Sequence, residues 1–178
     1  MIVGISGHMG SGKSTAAKRI TEQSHFREDS FAHSLRLVLN AITAIPIEET
    51  YSVEDKNKMI PLLGITRGQF LQDIGMLFRK YRENIWVESV QLRWMAHEKD
   101  NLLLSDVRFP NEVAFVEGHG GAVLRLEREP LDNGDTRDKK HASETSLDDH
   151  PFIHIIHNDG TLKELHQKVD AFCDVVGI

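Results

Sequence analysis

The sequence predicts an α/β fold in which a parallel five-stranded sheet lies between layers of helices. Short apolar runs typical of strands alternate along the chain with segments of helical periodicity. The run Asn101–Ser105 contains three consecutive leucines, which is typical of a parallel strand buried on both faces. With 178 residues, of which 40% are hydrophobic and 27% charged, the chain has the size and composition of one globular domain.

Five strands and six helices account for most of the chain. The predicted strands are Ile2–Ser6, Arg27–Ala32, Asn101–Ser105, Ala122–Arg128 and Phe152–His157. The predicted helices begin at Thr15, at Ser34, after the capping signal Thr66-x-x-Gln69, at Asn84, at Asn111 and after the capping signal Thr161-x-x-Glu164. The polar segment 46–61 is predicted to be a mobile surface segment, and the charged segment 129–150 is predicted to be a loop or lid.

The third predicted helix has two distinct faces. Its apolar face, predicted to turn inward, is formed by Phe70, Leu71, Ile74, Leu77, Phe78 and Tyr81. The opposite stripe is formed by Gly68, Gln72, Gly75 and Arg79. Each glycine inside a helix costs about 1 kcal/mol relative to Ala, so two on one stripe suggest close approach by a ligand or another backbone. Gln72 offers an amide for base recognition, and Arg67 and Arg79 offer bidentate phosphate contacts. The alternative is a solvated face that tolerates glycines.

Charge and composition exclude several classes of protein. The net charge of −6 argues against nucleic acid as the main partner, whereas a small phosphorylated ligand needs only a local cluster of Arg and Lys. No apolar run reaches the length of a membrane span, and the first residues lack the pattern of a signal peptide. The single cysteine, Cys173, lies in an apolar helical pattern and is predicted to be buried without a disulfide. We therefore expect a cytoplasmic protein with neither a nucleic-acid nor a membrane partner.

The stretch Gly7–Ser14 reads GHMGSGKS and matches the phosphate-binding pattern G-x-x-x-x-G-K-[ST] between a strand and a helix. Glycines let the N–H groups of the loop approach phosphate oxygens, and the following helix directs its positive dipole end at the same anion. The pattern predicts a P-loop NTPase fold that binds ATP, with Lys13 reaching the β- and γ-phosphates and Ser14 as a ligand of Mg²⁺. The residues predicted to bind the nucleotide are Gly10, Ser11, Gly12, Lys13, Ser14 and Thr15.

The third predicted strand runs into the sequence SDVRF. A carboxylate at the end of a buried strand is costly unless a cation lies nearby, and beside a P-loop that cation is hydrated Mg²⁺. Asp106 is therefore predicted to lie on the metal side of the site, and the alternative is a strand-end aspartate that caps the next turn. Arg108 lies two residues further, points to the same side in an extended chain, and is predicted to reach a phosphate at the carboxyl edge of the sheet.

The region around segment 129–150 carries several cations. Arg128, Arg137, Lys139 and Lys140 are candidates for contacting phosphates during transfer. Arg128 and Arg137 are preferred, because Arg suits bidentate phosphate recognition better than Lys. The alternative is a solvated charge run, since Asp and Glu alternate with the cations. The sequence HASE at His141–Glu144 is predicted to anchor the returning end of the lid.

With these residues placed, the chain resembles the deoxynucleoside monophosphate kinase family, many members of which are encoded by large bacteriophages. The resemblance extends over nearly the whole chain and rests on the P-loop and on SFAHSLR, RGQFLQDIG, SDVRFPNE, GGAVLRLER, HASE and IIHNDGTLKEL. It implies transfer of the γ-phosphoryl group of ATP to a deoxynucleoside 5′-monophosphate (dNMP) with Mg²⁺. Members often carry an acidic residue where this chain has His33, and Arg36 is expected to supply the cation that this segment usually offers.

We therefore divide the single domain 1–178 into a kinase core (1–32, 98–128 and 151–178), an acceptor-binding helical insertion (33–97) and a lid (129–150). The expected catalytic residues are Lys13, Arg108, Arg128 and Arg137. The expected acceptor-binding residues are Arg36, Arg67, Gln72, Arg79 and Arg108. The expected metal ligands are Ser14 and Asp106. A homodimer is possible by analogy with such kinases.

Two alternatives use the same P-loop. One is another small-molecule P-loop kinase, acting for example on a dephosphorylated coenzyme or a sugar acid. The other is a nucleotide-dependent switch or assembly protein. A guanine-specific N-K-x-D motif would support a switch, but the sequence NKMI at Asn57–Ile60 lacks the Asp and does not follow a predicted strand.

Overall fold

The computed structural model describes residues 1–129, 138 and 140–178. Its strands are β1 (Ile2–Gly7), β2 (Arg27–Asp29), β3 (Met59–Ile60), β4 (Ile65–Thr66), β5 (Leu102–Val107), β6 (Ala122–Glu127) and β7 (His154–His157). Its helices are α1 (Lys13–Gln23), α2 (His33–Thr43), α3 (Val53–Asn57), α4 (Arg67–Tyr81), α5 (Ile85–Ala96), α6 (Pro110–Gly118), α7 (Ala142–Thr145) and α8 (Leu162–Val176), with a 3₁₀ turn at Ile47–Thr50.

Five strands form one parallel sheet in the order β2-β5-β1-β6-β7, which confirms the predicted sheet. Every residue of the central strand β1 is buried. Since all five strands run in the same direction, their carboxyl ends meet at one edge, where ligands bind in open α/β folds. β2 ends at Asp29 rather than at the predicted Ala32, because the chain turns there and the N–H groups of Phe31 and Ala32 donate to Asp106.

Helices cover both faces of the sheet and give three layers. Val3 of β1 packs with Ile20 of α1 and Val169 of α8 on one face. Ile2, the preceding residue, packs with Trp86 and Val90 of α5 on the other face. Side chains alternate along a strand, so a continuous apolar strand is buried from both sides.

The segment between β2 and β5 contains helices α2 to α5 and a small separate core of Leu39, Ile60 and Phe70. The stretch 46–61, predicted as a mobile surface segment, contains the 3₁₀ turn, α3 and the strand β3. β3 pairs with β4 in an antiparallel hairpin that sequence reasoning did not predict. This hairpin brings Ile60 into the small core, where it is 1% exposed.

The predicted inward face of α4 is only partly correct. Phe70 is buried, but Leu77, Phe78 and Tyr81 are exposed, Tyr81 by 83%. Arg67, Gly68 and Gln72 are buried instead, which places the polar side of α4 toward the interior.

The segment 129–150, predicted as a loop or lid, contains the short helix α7, whose first turn is capped by the side chain of His141. Arg137 and Lys139, predicted as phosphate contacts, lie outside the described residues. The predicted capping box of α8 is present, with Thr161 and Glu164 bonding each other's backbone N–H groups. Among the described residues, no helix combines the length and the apolar character needed to cross a membrane.

Candidate active site

The P-loop joins β1 to α1, as its sequence pattern predicts. Lys13 is the first residue of α1, and its ammonium group donates to the carbonyl oxygens of Gly7 and His8, each at 2.7 Å. The N–H of Ser11 donates to the same carbonyl of His8 at 3.2 Å. The lysine side chain is therefore folded back over the loop.

The loop that follows β7 supports the P-loop. Asn158 is 7% exposed, and its Nδ2 donates to the carbonyl oxygen of Ser11 at 2.9 Å. Gly12 has a φ of 103°, and a Cβ atom at this position would lie 2.6 Å from Nδ2 of Asn158. Glycine is needed here for both its backbone conformation and its size.

A cavity of about 230 Å³ connects the P-loop with α2, α4 and the segment that follows β5. The predicted site residues that line it are Lys13, Ser14, Arg36, Gln72, Arg79, Asp106 and Arg108. Gly68 and Gly75, from the polar stripe of α4, also line it. The phosphate-binding loop and most of the predicted acceptor-binding residues thus face the same cavity.

Asp106 lies in β5 beside the P-loop, and its two carboxylate oxygens accept the N–H groups of Phe31 at 2.8 Å and Ala32 at 3.0 Å. It therefore holds the turn that leads into α2, which is the capping role considered as an alternative. Each oxygen keeps a further lone pair, so this bonding and metal contact are compatible. Within the described part of the chain, no group of three or more acidic, His or Cys side chains could hold a metal by itself.

The donor set at this end of the cavity fits Mg²⁺. Ser14, Ser105 and Asp106 all supply oxygen atoms to the cavity lining. Mg²⁺ prefers oxygen ligands and is commonly held by one or two protein groups together with substrate phosphates. Ser14 and Asp106 are the groups that would hold it, with the nucleotide phosphates completing the site.

Arg36 of α2 is a buried cation that faces the cavity. The residue is 7% exposed, its Nη1 donates to Oγ of Ser30 at 2.9 Å, and its guanidinium lies 4.4 Å from the centre of the Tyr51 ring. Its Nε has no hydrogen-bond partner among the described residues. The Nε of Arg67 is likewise buried without a described partner, but of these two arginines only Arg36 lines the cavity.

Arg79 of α4 is paired with a buried carboxylate. Its Nη2 donates to Oε1 of Glu112 at 2.5 Å, and its guanidinium lies 3.8 Å from the centre of the Phe109 ring. Burial raises the pKa of Glu112 to about 7, and Asp106 adds to the rise while Arg79 opposes it. The arginine is thus held in one direction on the wall of the cavity.

Arg108 is likewise paired with a buried carboxylate. Its Nη1 donates to the carboxylate of Glu144 and, at 2.9 Å, to the carbonyl oxygen of Ser143. Burial disfavours its charge, but Glu144 and Asp106 outweigh this effect and raise the pKa of Arg108. The HASE sequence is therefore joined to the β5–α6 segment through an ion pair with a buried carboxylate.

The remaining predicted site residues have other surroundings. Arg67 donates from Nη1 to the carbonyl oxygen of Glu49 at 2.6 Å and does not line the cavity. Gln72 lines it and donates to the carbonyl oxygen of Asp138 at 3.2 Å. Arg128 is exposed after β6 and is absent from the lining. Their predicted roles, and that of Arg137, stay predictions.

Sequence reasoning missed two buried charges near the site. Glu112 is the third residue of α6, whose first residue is Pro110, and a helix start of this kind often carries a capping Glu. Arg125 of β6 is 5% exposed and donates to Oγ of Ser6 at 3.2 Å and to Asp148 at 3.4 Å. The signal in the sequence was a cation inside the apolar run AVLRL. Such a residue is predicted to be buried, and a buried cation requires a partner.

Comparison with known proteins gives three informative matches. No protein-family model matches the chain. An Acanthamoeba polyphaga mimivirus protein named "Putative deoxynucleotide monophosphate kinase" is 25% identical over 193 aligned residues, which cover 98% of this chain and 96% of that protein. The uncharacterized protein ORF77 of Ictalurid herpesvirus 1 is 31% identical over 106 residues, covering 58% of this chain and 46% of that protein. The structure of dephospho-CoA kinase from Campylobacter jejuni superposes with a TM-score of 0.50 at 16% identity, covering 98% of this chain and 96% of the other.

The parallel sheet, the P-loop and the structural match define the fold of the P-loop kinases. The resemblance to the deoxynucleoside monophosphate kinase family, predicted from the motifs, is confirmed along nearly the whole chain by the mimivirus relative. These relatives indicate a phosphotransferase that binds a nucleotide.

Proposed function

We propose that the protein transfers the γ-phosphoryl group of ATP to a deoxynucleoside 5′-monophosphate and releases ADP and the corresponding diphosphate. The observation that carries this proposal is Arg36, a buried cation with an unpartnered Nε in the same cavity as Lys13. Leaving a buried donor unsatisfied costs about 1–3 kcal/mol. An oxygen of the acceptor's phosphate would remove this cost.

The P-loop end of the cavity would bind ATP. The N–H groups of the loop and Lys13 face the β- and γ-phosphates, and Lys13 exchanges the carbonyl oxygens of Gly7 and His8 for phosphate oxygens. Bound Mg²⁺, held by Ser14 and Asp106, would supply further neutralisation of phosphate charge. The fold positions these groups before the substrates meet, so little reorganisation is needed during transfer.

The other end would bind the acceptor. Arg36, Arg79 and Arg108 line it and suit a phosphate dianion, while Gln72 lies at the wall where a base could be contacted. The attacking atom is an oxygen of the acceptor phosphate, which is already largely ionised at neutral pH, so no general base is required. Catalysis then consists of alignment and charge neutralisation.

We assign residues 33–97 to acceptor binding and residues 129–150 to a lid that excludes water from the reacting groups. Gln72 donates a hydrogen bond to the carbonyl oxygen of Asp138, so the two segments are in contact. Arg128 and Arg137 are the lid cations that we expect to contact phosphates.

The test is a coupled assay of ADP release with each deoxy- and ribonucleoside monophosphate, with dephosphocoenzyme A and a sugar acid as further acceptors. We expect turnover with at least one dNMP. Lys13→Ala should lower kcat by about 10²-fold or more without changing the unfolding temperature. Lys18→Ala, an exposed lysine of the same helix, is the matched control and should retain wild-type kcat. Turnover with dephosphocoenzyme A alone, or ATP hydrolysis unaffected by any acceptor, would contradict the proposal.

A further inference from the structure

Glu112 occupies a junction between two of the arginines that line the cavity. The residue is 2% exposed, and both of its carboxylate oxygens accept hydrogen bonds. Oε1 accepts from Nη2 of Arg79 at 2.5 Å. Oε2 accepts from the backbone N–H of Arg108 at 2.7 Å and from that of Phe109 at 3.2 Å.

The side chain of Arg79 is constrained on several sides by these elements. Its guanidinium packs over the ring of Phe109, and Nη1 donates to the carbonyl oxygen of Glu83 at 3.1 Å and to Asn111 at 3.4 Å. Glu112 is the carboxylate paired with it, and the side chain of Arg79 is only 10% exposed. Removing the charge of Glu112 would leave a nearly buried cation without its counter-ion, which favours a different side-chain position.

Arg108 depends on the same carboxylate through its backbone. The bond to its N–H fixes the turn between β5 and α6, and this turn sets the direction in which the side chain leaves toward Glu144. One buried group therefore fixes the guanidinium of Arg79 and the backbone of Arg108.

We propose that Glu112 is a positioning residue that sets the geometry of both acceptor-phosphate arginines while it does not itself contact the substrate. The inference rests on the proposed function, because it takes the phosphate of the dNMP as the ligand of Arg79 and Arg108. It predicts that removing the charge of Glu112 raises the KM for the acceptor much more than the KM for ATP, since no residue of the P-loop is described in contact with Glu112.

Glu112→Gln is the first test, because it keeps the size of the side chain and removes its charge. The KM for the best dNMP should rise about tenfold or more, as expected for loss of a charge-assisted bond. The KM for ATP should change by less than about twofold. Glu117→Gln removes a carboxylate from the exposed end of the same helix and should leave both values unchanged. Equal increases in both KM values, or no increase in the KM for dNMP, would overturn the proposal.

A double-mutant cycle with Arg79→Ala tests whether Glu112 acts through the arginine. In the Arg79→Ala background, Glu112→Gln should raise the KM for dNMP by a smaller factor than in the wild type, because one of the two arginines that Glu112 positions is already absent. Full additivity would overturn the coupling. If Glu112→Gln does not fold, Glu112→Asp keeps the charge on a shorter side chain and is measured instead. A wild-type KM for dNMP in Glu112→Asp would overturn the proposal, whereas wild-type protein that phosphorylates no dNMP would refute the proposed function together with this inference.

Discussion

Replacing Gly12 by Ala should weaken ATP binding through two separable effects. The φ of 103° at Gly12 is unfavourable for any residue with a Cβ atom, at a cost of about 1–2 kcal/mol. The new Cβ would also lie 2.6 Å from Nδ2 of Asn158, which is too close for either atom to remain in place. Asn158 would have to move and give up its hydrogen bond to the carbonyl oxygen of Ser11.

The second cost can be estimated from the bond that is lost. A buried carbonyl left without its donor costs about 1–3 kcal/mol, and Asn158→Ala alone should lower stability by this amount. In the Asn158→Ala background the bond is already absent and the space is open. Gly12→Ala should then lower the free energy of unfolding only by the cost of placing an Ala at a positive φ. The two substitutions should therefore be less than additive by about 1–3 kcal/mol.

Urea denaturation of the four proteins measures this coupling, and isothermal titration with a non-hydrolysable ATP analogue measures its effect on the nucleotide site. We expect Gly12→Ala to bind the analogue less tightly than the wild type. In the Asn158→Ala background, the same substitution should cause a smaller loss of affinity. An equal cost of Gly12→Ala in both backgrounds would refute the reasoning, because it would show that the side chain of Asn158 does not oppose the new methyl group.

Three further predictions concern stability. Gly121→Ala should destabilise the fold by about 1–3 kcal/mol, since its Cβ would clash with a backbone carbonyl oxygen of β1. Gly118→Ala, with open space around it, should be neutral or slightly stabilising in thermal unfolding. Similar melting temperatures for the two variants would count against this. Burial raises the pKa of Glu112 to about 7, compared with 4.5 in the unfolded chain, so Glu112 is the charged partner of Arg79 above this pH. Wild-type stability should therefore fall relative to Glu112→Gln by about 3 kcal/mol as pH rises from 4.5 to 7, and a pH-independent difference would be inconsistent with it. Burial opposes ionisation of Asp29, but its hydrogen bonds from Arg93 lower its pKa below the ordinary value of 3.8. The stability that this carboxylate contributes should therefore be lost as pH falls below 3.8. In urea titrations, Arg93→Ala should reduce this loss of stability at acid pH.

The parallel sheet could be predicted because its signals are local. A run such as Asn101–Ser105 is typical of a parallel strand buried on both faces. A P-loop pattern is typical of the turn between a strand and a helix. The hairpin β3–β4 could not be predicted in the same way, because its strands contain only two residues each and depend on Ile60 reaching the core of Leu39 and Phe70. Short strands are stabilised by tertiary packing rather than by their own pattern.

The helix α4 shows why sequence periodicity separated an apolar stripe from a polar one but assigned the buried face only partly correctly. Its pattern separates an apolar stripe from a polar one, and the usual expectation buries the apolar stripe. A helix that lines a cavity also buries polar residues, so Gln72 is buried while Tyr81 is exposed. The two glycines on the polar stripe were the better signal, because a glycine inside a helix costs stability and both of them line the cavity.

The pairing of the cavity arginines explains how an acidic chain can hold several cations around one cavity. Arg79 and Arg108 each have a buried carboxylate partner, Glu112 and Glu144, so their charges are balanced before any ligand enters. Balanced pairs attract an added phosphate less strongly than free cations would, but they hold the planar guanidinium groups in fixed directions, which favours an acceptor whose phosphate oxygens lie in matching positions. Arg36 differs from them, because its described partners are the hydroxyl of Ser30 and the ring of Tyr51, and no ion pair with a carboxylate is described for it. We therefore expect Arg36 to contribute most of the affinity for the acceptor phosphate, and the paired arginines to contribute most of the alignment.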